Sequence, residues 1–131
     1  MTHLRVSEAA RFLGVSDDTV RRLIDADHLP AGRDAAGRLT VDGVDLAAYV
    51  RGLANHPEDP AQVASSARNR FVGLVTAVTT DRVMAQVELQ CGPFRVVSLM
   101  SSEAVRDLGL EPGAVATAVI KSTNVIIETQ G

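Results

Sequence analysis

A two-domain α+β fold is the reading this sequence supports, and three observations carry it. Up to about residue 54, Ala, Arg, Asp and Leu recur with helical spacing. From about residue 64, Val- and Thr-rich runs without helical period are cut by turn residues. Between them, Asn55-His56-Pro57-Glu58-Asp59-Pro60 holds two prolines, two acids and no apolar residue, so neither a helix nor a strand ladder continues through it. The expected units are residues 1–54, a linker over 55–63, and residues 64–131.

In the first unit, Ser7 is expected to cap a helix running to about Leu13, with Ala9, Ala10, Phe12 and Leu13 as its apolar residues and Gly14 as its stop. Ser16 caps a second helix whose first turn carries Asp17 and Asp18, where the helix dipole favours acids. Val20, Leu23 and Ile24 form its apolar stripe, Thr19, Arg21, Arg22 and Asp25 lie off it, and Leu29-Pro30 ends it. A polar stretch from Gly32 to Gly37 leads into Arg38-Leu39-Thr40-Val41. A third helix follows from about Asp42 to Leu53, with Leu46, Val50 and Leu53 spaced for burial. Two short helices joined by a tight turn, then a basic loop and another helix, outline a winged helix-turn-helix with an all-α core. On spacing alone, its arginines read equally as a solvated helix face.

In the second unit, strands are expected over Val72 to Thr79, Val83 to Leu89, Phe94 to Met100, Ala114 to Ile120 and Asn124 to Glu128. Thr80-Asp81-Arg82 and Cys91-Gly92-Pro93 read as turns. Ser101 to Leu108 reads as a short helix capped by Ser101 or Ser102 and closed by Gly109. Glu111-Pro112-Gly113 has Pro and Gly where a type II turn needs them. Strands of this number and length suggest a small closed β-barrel of the oligonucleotide/oligosaccharide-binding (OB) type.

Composition narrows the function. The hydrophobic fraction of 46% supplies a core, but with 3% aromatics and no Trp it must be built from Val, Leu, Ile and Ala. No apolar stretch approaches the roughly 20 residues of a membrane span, and the N-terminus lacks a signal-peptide pattern. One cysteine, Cys91, forms no internal disulfide, which fits a reducing compartment. The expected setting is the cytoplasm, with no membrane partner. Net charge is −3, and residues 1–55 hold seven arginines against eight acids, so DNA contact must rest on a local arrangement of arginines. No catalytic signature is present: Ser, His and Asp form no nucleophile motif, no glycine-rich phosphate loop follows a strand, and His3, His28 and His56 are too scattered for a metal site. The chain is not expected to be an enzyme.

Two segments far apart in sequence remain as candidates for chemistry. Ser66-Ala67-Arg68-Asn69 and Lys121-Ser122-Thr123 offer two fixed positive charges, hydroxyls, an amide and backbone N–H groups, without a carboxylate. That inventory suits a compact tetrahedral dianion better than a metal cation or a neutral metabolite. On these two segments alone, charges flanking strands are more often simply solvated.

The neighbouring residues add two resemblances. Leu4-Arg5-Val6-Ser7-Glu8-Ala9-Ala10-Arg11-Phe12-Leu13-Gly14-Val15-Ser16, then Thr19-Val20-Arg21-Arg22-Leu23-Ile24, then Gly37-Arg38-Leu39 and Val44-Asp45-Leu46-Ala47-Ala48-Tyr49-Val50 together resemble the MerR-like and excisionase-like helix-turn-helix domains. That resemblance implies a major-groove helix starting at Ser16 and presenting Asp17, Asp18, Thr19, Arg21 and Arg22, with Arg33 and Arg38 on a wing near phosphates. The wing departs from the family pattern, since Asp34 and two alanines stand between its arginines, and weaker phosphate contact follows. The segment Ser66-Ala67-Arg68-Asn69, with Phe71-Val72-Gly73, Leu108-Gly109-Leu110-Glu111-Pro112-Gly113 and Ile120-Lys121-Ser122-Thr123-Asn124-Val125, resembles the Mop (TOBE) molybdate-binding domain over about Ala64 to Glu128.

The second resemblance implies oxyanion contacts from Ser66, Ala67, Arg68, Asn69, Lys121 and one or both of Ser122 and Thr123. Ser101 matches a position where relatives often have Thr. Molybdate or tungstate is the implied ligand, double-stranded DNA the implied macromolecular partner, and a homo-oligomer, dimer or hexamer, the implied assembly with sites between subunits. Together these imply a molybdate- or tungstate-responsive DNA-binding transcriptional regulator. The alternative is a molybdate storage or buffering oligomer whose helical domain serves assembly or protein contacts.

Overall fold

A computed structural model describes residues 2–54, 57–61 and 63–130. The chain divides into two compact units, Met1–Asn55 and His56–Gly131.

The first unit runs β1 (His3–Arg5), α1 (Val6–Leu13), α2 (Asp17–Asp25), β2 (Gly32–Arg33), β3 (Leu39–Asp42) and α3 (Gly43–Leu53). The cap of α1 is Arg5 rather than Ser7: the Arg5 N–H donates to Glu8 Oε1 at 3.1 Å, and Ser7 lies inside the helix. Gly14 closes α1 at φ 67°, a left-handed conformation that glycine enters without a Cβ clash. Ser16 caps α2, its Oγ accepting the Thr19 N–H at 3.2 Å. Helix α2 stops at Asp25, earlier than expected, because Asp27 turns left-handed at φ 59° and the His28 N–H bonds back to Leu23 O. That turn sends Leu29, 1% exposed, into the core.

The core is not all-α. Val41 of β3 is fully buried with Val6, Ala9, Ala10, Val20, Leu29 and Leu46. A three-stranded antiparallel sheet, ordered β1-β3-β2, supplies it, and β1 went unforeseen because three residues carry too little pattern to signal a strand. Helix α3 begins as expected, Asp42 Oδ1 accepting the Val44 N–H at 2.8 Å. Its expected burial holds only for Leu46. Val50 and Leu53 are exposed, as is Phe12 of α1, since this small unit covers only one side of each helix.

The second unit runs β4 (Asn69–Thr80), β5 (Met84–Cys91), β6 (Phe94–Ser101), α4 (Ser102–Leu108) and β7 (Val115–Ile120), then a 3₁₀ turn at Ser122–Asn124. The sheet is antiparallel, ordered β6-β5-β4-β7, and curls into a half-barrel of OB type. The strand expected over Asn124 to Glu128 does not form: its start is taken by the 3₁₀ turn, and the residues beyond it join no ladder among the described residues. Cys91 is the last residue of β5 rather than part of the turn.

The curl has local causes. A bulge interrupts the β4–β5 register between Val75 and Ala77, and Val75 bonds outward through its N–H to Ala114 O and its O to Gly113 N–H. Two residues earlier, Gly73 lets β4 bend against β5: a Cβ there would lie 2.5 Å from Gln90 O and 2.6 Å from Cys91 Sγ. The concave face buries Val75, Ala85, Val87, Leu89 and Cys91 beneath Val105 of α4. Ser101 caps α4 through the Ala104 N–H at 3.0 Å. The buried Ser102 Oγ donates toward Asp81 O (2.8 Å) and Met84 O (3.0 Å), fixing the start of the helix on the β4–β5 turn.

Residues 55, 56 and 62 of the expected linker lie outside the described residues. Asp59 is not loose. Its carboxylate takes Arg70 Nε at 2.7 Å and Thr117 Oγ1 at 3.3 Å, strapping the segment before β4 onto β4 and β7. The hydrogen bond from Arg70 is the main cause holding the Asp59 carboxyl below its ordinary value of 3.8. A carboxylate depressed in the fold stabilises above the unfolded value and loses that contribution as pH falls through the folded value. The Asp59→Asn variant is therefore expected to show a flatter acid-unfolding curve below about pH 4 than the parent chain, followed by far-ultraviolet circular dichroism. Identical curves would mean that the strap contributes nothing.

Candidate functional site

The β4–β7 ladder brings the two polar segments together. Its last rung pairs Asn69 with Ile120, and Asn69 Nδ2 donates to Ile120 O at 3.2 Å. One step beyond that rung, Arg68 and Lys121 are the next facing positions of an antiparallel pair. Like charges at facing positions repel, and both of these side chains are exposed. Ser66 and Ala67 precede Arg68 in a turn in which Ser65 Oγ accepts the Ala67 N–H at 3.1 Å. On the other side, Ser122 and Thr123 lie in the 3₁₀ turn, held by Asn124 N–H to Lys121 O at 2.9 Å. Ser66, Arg68, Lys121, Ser122 and Thr123 are exposed, and Ala67 and Asn69 are half-buried.

Ser101 is not part of this cluster within one chain. It faces Met84 across β5–β6, beside the Thr80 end of β4. Eleven residue steps of β4 separate that end from Asn69, roughly 35 Å of extended strand before the bulge shortens it. Its hydroxyl is also engaged in capping α4. Within one chain, Ser101 therefore stands apart from the Arg68–Lys121 end. The sequence could not show this, because register between distant strands is a tertiary property.

The helix-turn-helix residues group on α2 and the β2–β3 hairpin. Asp17, Asp18, Arg21 and Arg22 are exposed on α2, while Val20 anchors the helix in the core. Ser16 Oγ and Thr19 Oγ1 lie 3.0 Å apart, so both hydroxyls take part in the cap. On the wing, Arg38 Nε pairs with Asp34 Oδ2 at 2.9 Å and Arg33 Nη1 donates to Gly37 O at 2.8 Å. Asp34 Oδ1 also accepts the Ala36 and Arg38 N–H groups, both at 2.9 Å. These bonds, led by the Arg38 backbone N–H, hold the Asp34 carboxyl below its ordinary range. The wing arginines are thus partly satisfied within the hairpin, whereas Arg21 and Arg22 enter no ion pair among the described residues.

A cleft of about 340 Å³ at the base of this wing, lined by His3, Arg33, Asp34, Thr40, Asp42 and Asp45 among others, mixes both signs of charge and lies in the other unit from the oxyanion segments. Among the described residues no group of three or more His, Cys, Asp or Glu is placed to hold a metal ion, and no helix is long and apolar enough to cross a membrane.

Comparison with known proteins agrees with this division. The helix-turn-helix domain family matches residues 4–54 and the TOBE domain family residues 65–127. Molybdenum-pterin-binding protein 3 of Clostridium pasteurianum is 46% identical over 63 residues, 47% of this chain and 93% of that protein. The molybdenum transport protein ModE of Herbaspirillum seropedicae is 38% identical over 66 residues, 50% of this chain and 24% of ModE. Among solved structures, MopII from Clostridium pasteurianum aligns with a TM-score of 0.47 at 39% identity, covering 50% of this chain and all of MopII. Through residues 65–127 the chain belongs to the TOBE-domain family, and it carries ahead of that domain a helix-turn-helix domain over residues 4–54.

Proposed function

We propose that this chain is a cytoplasmic, non-catalytic regulator that binds molybdate or tungstate and, in response, changes its hold on double-stranded DNA. The observation that carries the oxyanion half is the Asn69–Ile120 rung, which ends the β4–β7 ladder with Arg68 and Lys121 as the next residue on either side, among hydroxyls and amides and with no carboxylate in either segment. A tetrahedral dianion needs both compensating charge and near-complete hydrogen bonding when it leaves water. Arg68 and Lys121 supply the charge. Ser66, Ser122, Thr123, the Asn69 amide and the backbone N–H groups of this end, Ala67 included, supply the bonds. Molybdenum-pterin-binding relatives matching this half support the choice of metal oxyanion.

Ser66, Arg68, Lys121, Ser122 and Thr123 are open to solvent on one copy, so the site is completed in a homo-oligomer, dimer or hexamer, where Ser101 of a second copy can join it. Ligand that favours one assembly over another changes how DNA-binding units are paired, and hence DNA affinity. In the DNA half, Arg21 and Arg22 are the groups expected to carry the contacts, α2 lying in the major groove with Ser16, Asp17, Asp18 and Thr19 at its leading end. Arg33 and Arg38 play a smaller part. Selection of bound fragments from a genomic library, with and without molybdate, tests the whole reading. No salt-sensitive, sequence-preferring binding under either condition would end it. On a selected fragment, Arg21→Ala with Arg22→Ala is expected to weaken binding about 10- to 100-fold and to lower the slope of log affinity against log salt by about two.

A second reading is favoured by one specific observation, the wing whose arginines are bonded to Asp34 and Gly37 O. A storage or buffering oligomer would need no phosphate grip. It predicts oxyanion loading without a selected DNA sequence.

A further inference from the structure

The three-stranded sheet of the first unit has an outer face as well as an inner one. Val41 is buried in the core and Leu4 packs against it, so their neighbours along the extended strands, Thr40, Asp42 and His3, point the other way. His3 faces Asp42 across β1–β3, and Gly32 faces Thr40 across β2–β3. These residues line the cleft of about 340 Å³ at the base of the wing, together with Pro30, Ala31 and Asp45 of the first turn of α3.

Thr40 is only 8% exposed, yet its hydroxyl makes no hydrogen bond among the described residues. No fully buried side-chain nitrogen or oxygen among those residues lacks a partner, so the exposed fraction of Thr40 includes Oγ1, and it opens into the cleft. Across from it stands a glycine. A Cβ on Gly32 would lie 3.9 Å from Thr40 Oγ1, so a longer side chain there would crowd the hydroxyl. Two carboxylates are likewise unspent. Asp42 Oδ1 accepts the Val44 N–H, but neither Asp42 nor Asp45 enters an ion pair among the described residues.

We propose that this cleft binds a small organic ammonium compound. A buried hydroxyl without a partner is an acceptor in wait, and two carboxylates without a cation supply the matching charge. The acids and His3 form no group placed to hold a metal ion, so the fitting cation is one held by hydrogen bonds. An ammonium group brings three N–H donors and a full charge, and Thr40 Oγ1, Asp42 and Asp45 offer the acceptors. Pro30 and Ala31 give its methylene groups an apolar wall. A compound that also carries a carboxylate meets Arg33, whose Nη1 alone is spent on Gly37 O. The volume lies at the lower end of ligand pockets, which run from roughly 300 to 1,000 Å³. The site uses no residue of the Arg68–Lys121 end and stands whether or not that end binds an oxyanion.

Nuclear magnetic resonance titration of the full chain with putrescine and, separately, with lysine tests this, against sodium chloride at matched ionic strength. At least one ammonium probe is expected to give saturable amide shifts at Gly32, Thr40, Asp42 and Asp45 that the salt does not give. Saturation by putrescine alone identifies a simple amine as the ligand, and saturation by lysine alone an amino acid. Asp45→Asn and Thr40→Val are each expected to weaken binding about 10-fold or more, and Thr40→Ser to retain it. Gly32→Val is expected to abolish the saturable shifts with circular dichroism unchanged, since Gly32 is not left-handed and its added Cβ meets nothing but Thr40 Oγ1 within 4 Å. Shifts no greater than those of the salt would overturn the proposal. So would an affinity that Gly32→Val and Asp45→Asn leave unchanged.

Discussion

Replacing Arg68 and Lys121 together by alanine is expected to weaken molybdate binding by at least about 100-fold in titration calorimetry. Each charged hydrogen bond to the dianion is worth about 1.5–3 kcal/mol, so losing two costs about 3–6 kcal/mol, and each 1.4 kcal/mol is a factor of ten. Both side chains are exposed beyond the last β4–β7 rung, so the fold does not depend on them and circular dichroism should be unchanged. Arg68→Lys separates charge from geometry. It keeps the cation but loses the planar fork, and is expected to fall between the parent chain and Arg68→Ala. Sulfate, of the same charge and smaller radius, is the natural competitor. Unchanged molybdate affinity in the double alanine variant would show that the anion site lies elsewhere.

Gly73→Ala is expected to cost about 3 kcal/mol of stability in the C-terminal unit, read as a lower midpoint in urea. The added methyl meets a backbone oxygen, Gln90 O, at 2.5 Å and Cys91 Sγ at 2.6 Å. A flexible side-chain tip could swing aside, but the carbonyl is part of β5 and moves only if the curl of the sheet relaxes. Adding Cys91→Ala removes the sulfur and leaves the carbonyl, so this second change should recover only part of the loss. A stable Gly73→Ala chain would mean that the curl is set by the bulge between Val75 and Ala77 alone.

Much of this fold was legible because its signals are local. Ser16, Asp42 and Ser101 announce helix starts by the hydrogen bonds their own side chains make, and Gly14 and Gly109 announce helix ends by their left-handed backbone. The Arg68 and Lys121 segments stood out by composition, and the antiparallel β4–β7 pairing brings them to one end of the sheet. What stayed hidden depends on contacts between distant residues. Nothing in the sequence places Ser101 at the far end of the sheet, or leaves the Val- and Ile-rich segment after residue 124 without a ladder. Asp59 reads as a solvated linker acid until Arg70 and Thr117 come into register beside it. The exposure of Val50 and Leu53 is hidden for a related reason, since helical spacing reports a face but not whether anything covers it.

The bonded wing bears on how such a regulator would behave across a genome. With Arg38 bound to Asp34 and Arg33 to the Gly37 carbonyl, the hairpin offers a passing backbone less free charge and fewer free donors than two unengaged arginines would. Sequence-independent adhesion is almost wholly phosphate attraction, and competing sites outnumber the true one by a million-fold or more, on the order of 10⁶ to 10⁹. A reader with a muted grip leaves more of its copies unbound between searches. For a regulator of the kind proposed, few molecules would then suffice to keep a handful of operators responsive to the oxyanion supply.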